Sequence, residues 1–427
     1  MSFRLIKFIV GILLMLPFWL EASGGKSDST GIGSDWEFRI RELNEKRDFS
    51  EDAKSFTYAL LRARNSLQIH RSSTRLYLQI QYPHVLGWDS HNFDEKSTVD
   101  LHQAWIGINL ANNNSWLLSL GRMELRYSDE RLVSPVDWSN YGRVFDCIRL
   151  QYQTNSLWAD MFFSSQSERS FSSWPESAPE DYFYGIWGGN KDREFEFFFL
   201  VNNLYLKTPE RKWRQYLQQF TAGSNYSLQV LNDMKIQTDI AYQFGYEKES
   251  ELSSSGDQKS AISAYLVRLT LMYSPDILYI SNIKGGIDIT SGDDIITEER
   301  RENFDNLYHD YHRYNGALDI FKDGYDFGLM DVFLGADILP KSNSKVSIEY
   351  HLFRSAQSFV RDGLFSSSPL YLGNEIDLIA LYKPIPEIEA EIGMNHFYSF
   401  TDWNDEGTGN PWFYYIQIKT YLELILQ

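Results

Sequence analysis

From residue 25 onward, apolar and polar residues alternate with a period of two along nearly the whole chain. That spacing is the pattern of extended strands whose two faces meet different surroundings. In Arg75–Tyr82, Leu76, Leu78, Ile80 and Tyr82 share one face, and Arg75, Gln79 and Gln81 share the other. In Lys235–Tyr246, Ile236, Ile240, Tyr242 and Phe244 oppose Lys235, Gln237, Asp239 and Gln243. The last such segment sets Trp412, Tyr414, Ile416, Ile418, Leu422 and Leu424 against Gln417, Lys419 and Glu423. Segments of about ten residues, repeated this often and rich in aromatics at their ends, are the pattern of a transmembrane β-barrel. Tyr, Phe and Trp together make 16% of the residues, which suits the aromatic girdles such a barrel places at its two interfaces.

Turn lengths alternate too. Short turns at Arg71–Thr74, Gln153–Ser156, Asn190–Arg193, Lys341–Ser344 and Lys383–Pro386 are interleaved with longer polar loops, among them 127–142, 291–312 and 357–371. Short periplasmic turns and long extracellular loops are the outer-membrane arrangement. This alternation tests the strand count. Counting Tyr314–Phe321 as a strand gives nineteen and places 357–371 on the short-turn side. Reading 292–325 as one long, inward-folding loop gives eighteen, an even number, with both termini periplasmic. The expected fold is therefore all-β: a single antiparallel barrel over residues 35–427, wide enough for an aqueous interior.

The N-terminus reads as a Sec-type signal peptide, residues 1–24, with Arg4 and Lys7 ahead of an apolar run from Phe8 to Leu20 and small residues at Ala22-Ser23-Gly24. Residues 25–34 form a Gly/Ser-rich lead-in. The expected location is the bacterial outer membrane, in contact with its lipid and lipopolysaccharide and with periplasmic export partners. The net charge is −18, and loss of Arg4, Lys7 and Glu21 with the leader leaves the mature chain slightly more acidic. Nucleic acid, which needs a basic surface, is excluded as a partner. Cys147 is the single cysteine, so no intrachain disulfide can form.

The segment Gly121–Leu150 carries the strongest functional signal. Arg122, Arg126, Arg143 and Arg149 fall on the polar parity of the two strands expected to flank its loop, joined by Arg62 and Arg64. On a lumenal wall these planar, permanently charged groups would act on a passing carboxylate, or would brace the wall by pairing with lumenal acids. Later strands put Asp239, Asp319, Glu375, Asp377, Glu387, Glu389 and Glu391 on the same parity. No carboxylate pair stands out as a glycosidase couple. His309 and His312 lack a third metal ligand. Asp288–Asp294 has the composition of a calcium turn without its twelve-residue register. Neither an enzyme nor a cofactor is expected.

Residues 121–150 also resemble the alginate export family of outer-membrane barrels. The resemblance rests on Gly121-Arg122-Met123-Glu124, Tyr127, Asp129, Arg131-Leu132, Trp138, Asn140, Gly142-Arg143, Phe145-Asp146 and Arg149-Leu150, and departs at Cys147, where the family has glycine. Weaker matches are Leu61-Arg62-Ala63-Arg64, the block from Gly292 to Asp319, and Gly373 to Asp377. The resemblance implies an eighteen-stranded barrel with an arginine-rich constriction conducting a polyuronate. It points to Arg62, Arg64, Arg122, Arg131, Arg143 and Arg149, with Asp129 and Asp146 as their partners. The expected function is a channel for an anionic polysaccharide or acidic oligosaccharide; the alternative is a general diffusion porin whose arginines are structural.

Overall fold

The structure, a computed structural model, describes residues 30–50, 52–86, 98–111, 114–165, 181–207, 213–248, 259–294, 300–322, 324–361, 364–366, 369–399, 403 and 407–426. The signal peptide and most of the lead-in lie outside these. The described residues form twenty-one strands and no helix. The first half holds β1 (Thr30–Lys46), β2 (Phe56–Arg71), β3 (Thr74–Leu86), β4 (Asp100–Asn109), β5 (Trp116–Met123), β6 (Phe145–Gln153), β7 (Leu157–Ser165), β8 (Tyr182–Asn190), β9 (Phe195–Lys207) and β10 (Trp213–Leu231). The second half holds β11 (Met234–Lys248), β12 (Lys259–Tyr273), β13 (Ile280–Thr290), β14 (Arg300–Arg301), β15 (Leu329–Lys341), β16 (Ser344–Ser355), β17 (Phe359–Arg361), β18 (Leu364–Ser366), β19 (Tyr371–Ile385), β20 (Ile388–Ser399) and β21 (Trp412–Leu426).

Three of these are loop strands. β14 lies parallel against Ala261 and Ile262 of β12, and β17 and β18 pair only with each other. The remaining eighteen run antiparallel, each beside its neighbour in the chain, and β1 closes the circle on β21 from Ile32↔Leu426 to Lys46↔Trp412. The barrel is thus an eighteen-stranded closed sheet, as the turn alternation predicts. Tyr314–Phe321 is not a strand, and β13 pairs directly with β15 across the long loop between them. Thr30 and Leu426 lie on the same rim as the tight turn between β2 and β3.

The register fixes which side chains look outward. Ile240 of β11 faces Val267 of β12, and both are substantially exposed, as are Tyr242, Phe244, Tyr265 and Leu269 around them. Asp239 and Arg268, one residue along, are partners on the inner face. A continuous outward surface of this kind suits hydrocarbon, because the backbone ladder behind it leaves no polar group unpaired.

The inner face is not uniformly polar. Two apolar clusters fill its upper part. One gathers Phe162, Phe183, Trp187 and Phe198 from β7–β9 around Leu125, Tyr127, Leu132 and Val133. The other gathers Phe353, Phe397, Phe413 and Tyr415 from β16, β20 and β21 around Leu318, Phe321 and Phe327. Both are docking faces for chain that enters the lumen: residues 124–144, between β5 and β6, and described residues of the segment between β13 and β15, Leu318, Phe321 and Phe327 among them. The long segment 127–142 is therefore not an extracellular loop, since its apolar side chains find their burial inside the barrel.

Placing a charge on the outward face tests this assignment. Ile240→Arg should lower the unfolding free energy in lipid by about 2–4 kcal/mol, measured by denaturant titration in liposomes. Gln237→Arg, on the inner face of the same strand and only half-buried, should cost less; equal losses would contradict the assigned faces.

Candidate functional site: a loop-constricted lumen

A loop that crosses a lumen carries main-chain carbonyls that need donors. Here arginines supply them. Arg39 and Arg41 on β1 and Arg62 and Arg64 on β2 alternate with outward side chains such as Phe38, Ile40 and Ala63, so all four guanidinium groups point inward, and all four are buried. Arg39 donates to the carbonyls of Asp137 (2.6 Å) and Ser139 (2.9 Å), and Arg62 donates to the same two at 3.0 Å each. Arg41 reaches the carbonyl of Trp138 at 3.1 Å with its guanidinium 3.3 Å above that ring. Arg64 and Gln81 share the carbonyl of Tyr141. The loop accepts a strained backbone in return. Val136, a β-branched residue, sits at φ 51°, where such side chains are rare. Gly142, at φ +74°, leaves room that a Cβ would take from Arg64, 2.7 Å away.

The carboxylate of Asp137 belongs to the same knot. It meets Arg62 at 2.7 Å and Lys419 of β21 at 3.1 Å. Burial pushes its carboxyl up, but the charges of Arg62, Lys419 and Arg39 outweigh that and hold it well below the usual carboxylate range. Glu37 completes the group, 2.6 Å from Arg62 and 3.4 Å from Lys419.

The second loop docks on the first. Val133 and Tyr308 form a parallel bridge, with Ser134 N–H donating to the Tyr308 carbonyl and Tyr308 N–H to the Leu132 carbonyl. Arg143 clamps the junction by donating to the carbonyls of Tyr308 and His309. Arg131 anchors it to the wall through a two-pronged pair with Asp288 on β13 (3.1 and 3.2 Å) and a bond to Asn306. Asp129 pairs with Arg268 at 3.3 Å, and its carbonyl accepts the Tyr314 hydroxyl. Burial, together with Arg131 and Arg143, pushes the His309 imidazole down to about 3, so it is neutral. His312 stacks on Trp138, with ring centroids 3.5 Å apart, and bonds Asp319 at 2.8 Å. At the far side, the N–H groups of Ala317 and Leu318 donate to Asp377 and Glu375 of β19, over Gly316 at φ +85°.

The nine residues expected from sequence therefore divide. Arg62, Arg64, Arg131, Arg143 and Asp129 are at the junction of wall and loops. Arg149 is lumenal on β6 but pairs with Asp160 (2.5 Å). Arg126 is in the loop, half exposed, and pairs with Glu130. Neither Arg126 nor Arg143 is on a strand, because β5 ends at Met123 and β6 begins at Phe145. Arg122 and Asp146 face each other across the ladder, joined by bonds of 2.9 and 3.0 Å, on the face of Leu120 and the exposed Ile148 rather than that of Ser119 and Arg149. Strand parity counted from Arg149 places Arg122 on the opposite side, so one lumenal row cannot hold both. Asp319 likewise belongs to the second loop and Glu387 to a turn. Arg39, Arg41 and Lys419 were missed, although the Arg-x-Arg spacing at 39 and 41 repeats that at 62 and 64.

Directly under the loops lies a cavity of about 430 Å³. Its wall changes sign around the circumference. Arg39, Arg41 and Lys419 on β1 and β21 make a basic arc, and Glu389, Glu391, Asp377 and Glu349 on β20, β19 and β16 continue it as an acidic one. Lys284 lies beyond, 2.5 Å from Glu349. Removing one anchor should loosen the constriction. Arg131→Ala removes the two-pronged partner of the buried Asp288 and leaves it with Arg268, 3.9 Å away, at a cost of up to about 3–5 kcal/mol. Single-channel recordings should then show larger and noisier conductance than wild type, and unchanged conductance would remove the second loop from the conduction path.

The Alginate export family matches residues 36–399. No curated protein matches the chain in sequence. Solved structures share its fold at low identity. OccAB4 of Acinetobacter baumannii superposes with a TM-score of 0.61 at 11% identity, covering 92% of this chain and 98% of that one. OpdK of Pseudomonas aeruginosa gives 0.59 at 11%, over 92% and 99%, and OccK5 (OpdH) of the same organism 0.56 at 12%, over 92% and 98%. The fold is that of outer-membrane porin channels. With a match that spans most of its barrel, this chain belongs to the alginate export family.

Proposed function

We propose that this protein is an outer-membrane channel for acidic saccharides, reached after Sec-type export, in which the basic arc of the cavity receives the carboxylate of the passing solute. The observation that carries this reading is the segregation of charge below the constriction: Arg39, Arg41 and Lys419 adjoin Glu389, Glu391 and Asp377 around one cavity. A sugar acid presents a carboxylate to the cations and hydroxyl donors to the acids. Each contact is a partial replacement of hydration, strong enough to admit the solute and weak enough to release it. An acidic monosaccharide, a short acidic oligosaccharide and a polyuronate threaded singly all present this chemistry.

A second reading, a general diffusion porin, draws on a different observation. Arg62, Arg131, Arg143 and Arg149 are all engaged by carbonyls or carboxylates of the protein itself. In that reading the arginines hold the loops and sort nothing.

Because Arg122 faces outward, the selectivity test belongs to Lys419 and Arg39. Planar-bilayer recordings in a potassium chloride gradient should show chloride preference in the wild type, and Lys419→Glu with Arg39→Gln should shift the reversal potential toward potassium. Cation preference in the wild type defeats the proposal. Liposome swelling separates the two readings: faster entry of glucuronate than of glucose supports the acidic-saccharide channel, and equal rates support the general porin.

A further inference from the structure

We infer that Arg62 and Lys419 form a carboxylate-binding seat which the chain's own Asp137 occupies as a resident ligand, and that a passing sugar carboxylate must displace it. This rests on the acidic-saccharide reading and specifies where in the lumen the solute is held.

Three observations carry it. First, the seat is built by the wall and not by the loop. Arg62 comes from β2 and Lys419 from β21, on either side of β1, and Arg62 is fully buried while Lys419 is nearly so. Second, the Asp137 side chain is 42% exposed although its cationic partners are not, so the carboxylate meets them from the cavity side, where a solute would stand. Third, the loop does not need this carboxylate to stay in place. Its main chain is held at the Asp137, Trp138, Ser139 and Tyr141 carbonyls by Arg39, Arg41, Arg62 and Arg64. A side chain redundant for anchoring yet gripped in the channel by three cations, Arg62 at 2.7 Å, Lys419 at 3.1 Å and Arg64 at 3.6 Å, is placed as a competitor.

Charge balance gives the same result. Glu37 approaches Arg62 and Lys419 from the wall and stays when Asp137 moves, as does Glu124, 3.6 Å from Arg64, so Arg39, Arg41, Arg62, Arg64 and Lys419 then face two close carboxylates. The vacated seat is therefore still cationic and ready for a second carboxylate. Lysine is the adaptable partner, since its point charge on a flexible stem can follow a mobile anion, whereas Arg62 is held in place by Glu37 and two carbonyls. A site open for only a fraction of the time binds with an affinity reduced by that fraction. An internal carboxylate thus lowers solute affinity and hastens release, which a channel needs.

The test uses the full-length protein in planar bilayers, with sodium glucuronate titrated against the ion current and glucose as the neutral control. Asp137→Asn, which keeps the main-chain anchors, should lower the half-blocking glucuronate concentration by roughly tenfold, the factor expected if the seat is open about a tenth of the time. Lys419→Gln, in the Asp137→Asn background, should raise it again. Acetate added to Asp137→Ala should restore wild-type current by filling the empty seat. An unchanged or higher half-blocking concentration in Asp137→Asn, with chloride preference retained in the wild type, overturns the resident-ligand assignment and leaves the channel function standing. Absence of chloride preference in the wild type overturns the function itself. If Asp137→Asn does not reach the closed barrel, seen as loss of the heat-modifiable band on gels, Lys419→Gln alone decides: equal block of wild type and Lys419→Gln overturns the assignment.

Discussion

Everything in this molecule follows from the requirement that each backbone N–H and C=O be paired where no water can pair it. A sheet meets that requirement in hydrocarbon only by closing on itself, and β1 against β21 is where this one closes. Closure fixes parity, parity fixes which residues face inward, and the number of strands fixes how much space they enclose. Eighteen strands enclose more than their side chains can fill. The chain fills the excess with its own loops.

Loops inside a lumen bring the same requirement back at smaller scale, because irregular backbone has carbonyls without a ladder. The solution here is chemical rather than topological. Each buried guanidinium on β1 and β2 offers several donors in a plane, so four arginines satisfy a run of carbonyls from Asp137 to Tyr141. Hydrophobic burial does the rest, with Phe162, Trp187 and Phe198 under one loop and Phe353, Phe397 and Phe413 under the other. Lys419, paired with Glu37 and Asp137, and acids of β19 and β20 line the residual opening.

Much of the fold was legible because alternation and turn length are local signals that add over many strands. The even count decided against a strand at Tyr314–Phe321. The inward course of residues 124–144 was not legible, because polar loop composition looks the same outside a barrel as inside one. The clue lay elsewhere, in inward positions such as Phe162, Trp187 and Phe198 that are apolar where a wet lumen wants polar groups. Segments like Phe195-Glu-Phe-Phe-Phe-Leu-Val201 are apolar on both parities, so the period-2 signal fades where a loop docks. Arg122 misled for a related reason. A polar residue near a strand end satisfies either face, and only its pairing with Asp146 shows which one it took.

The segment around Asp137 touches β2 through Arg62, β1 through Arg39 and Arg41, and β21 through Trp138, whose ring packs edge-on against Phe413 and Tyr415, so it straddles the junction between the first and last strands from within. Those partners lie at opposite ends of the chain and are brought side by side only when the cylinder is complete. During assembly the loop has nowhere to bind until the final strand has arrived, and once bound it opposes the departure of that strand. The same few contacts that narrow the passage thus also act as a latch, making insertion of the last hairpin hard to reverse.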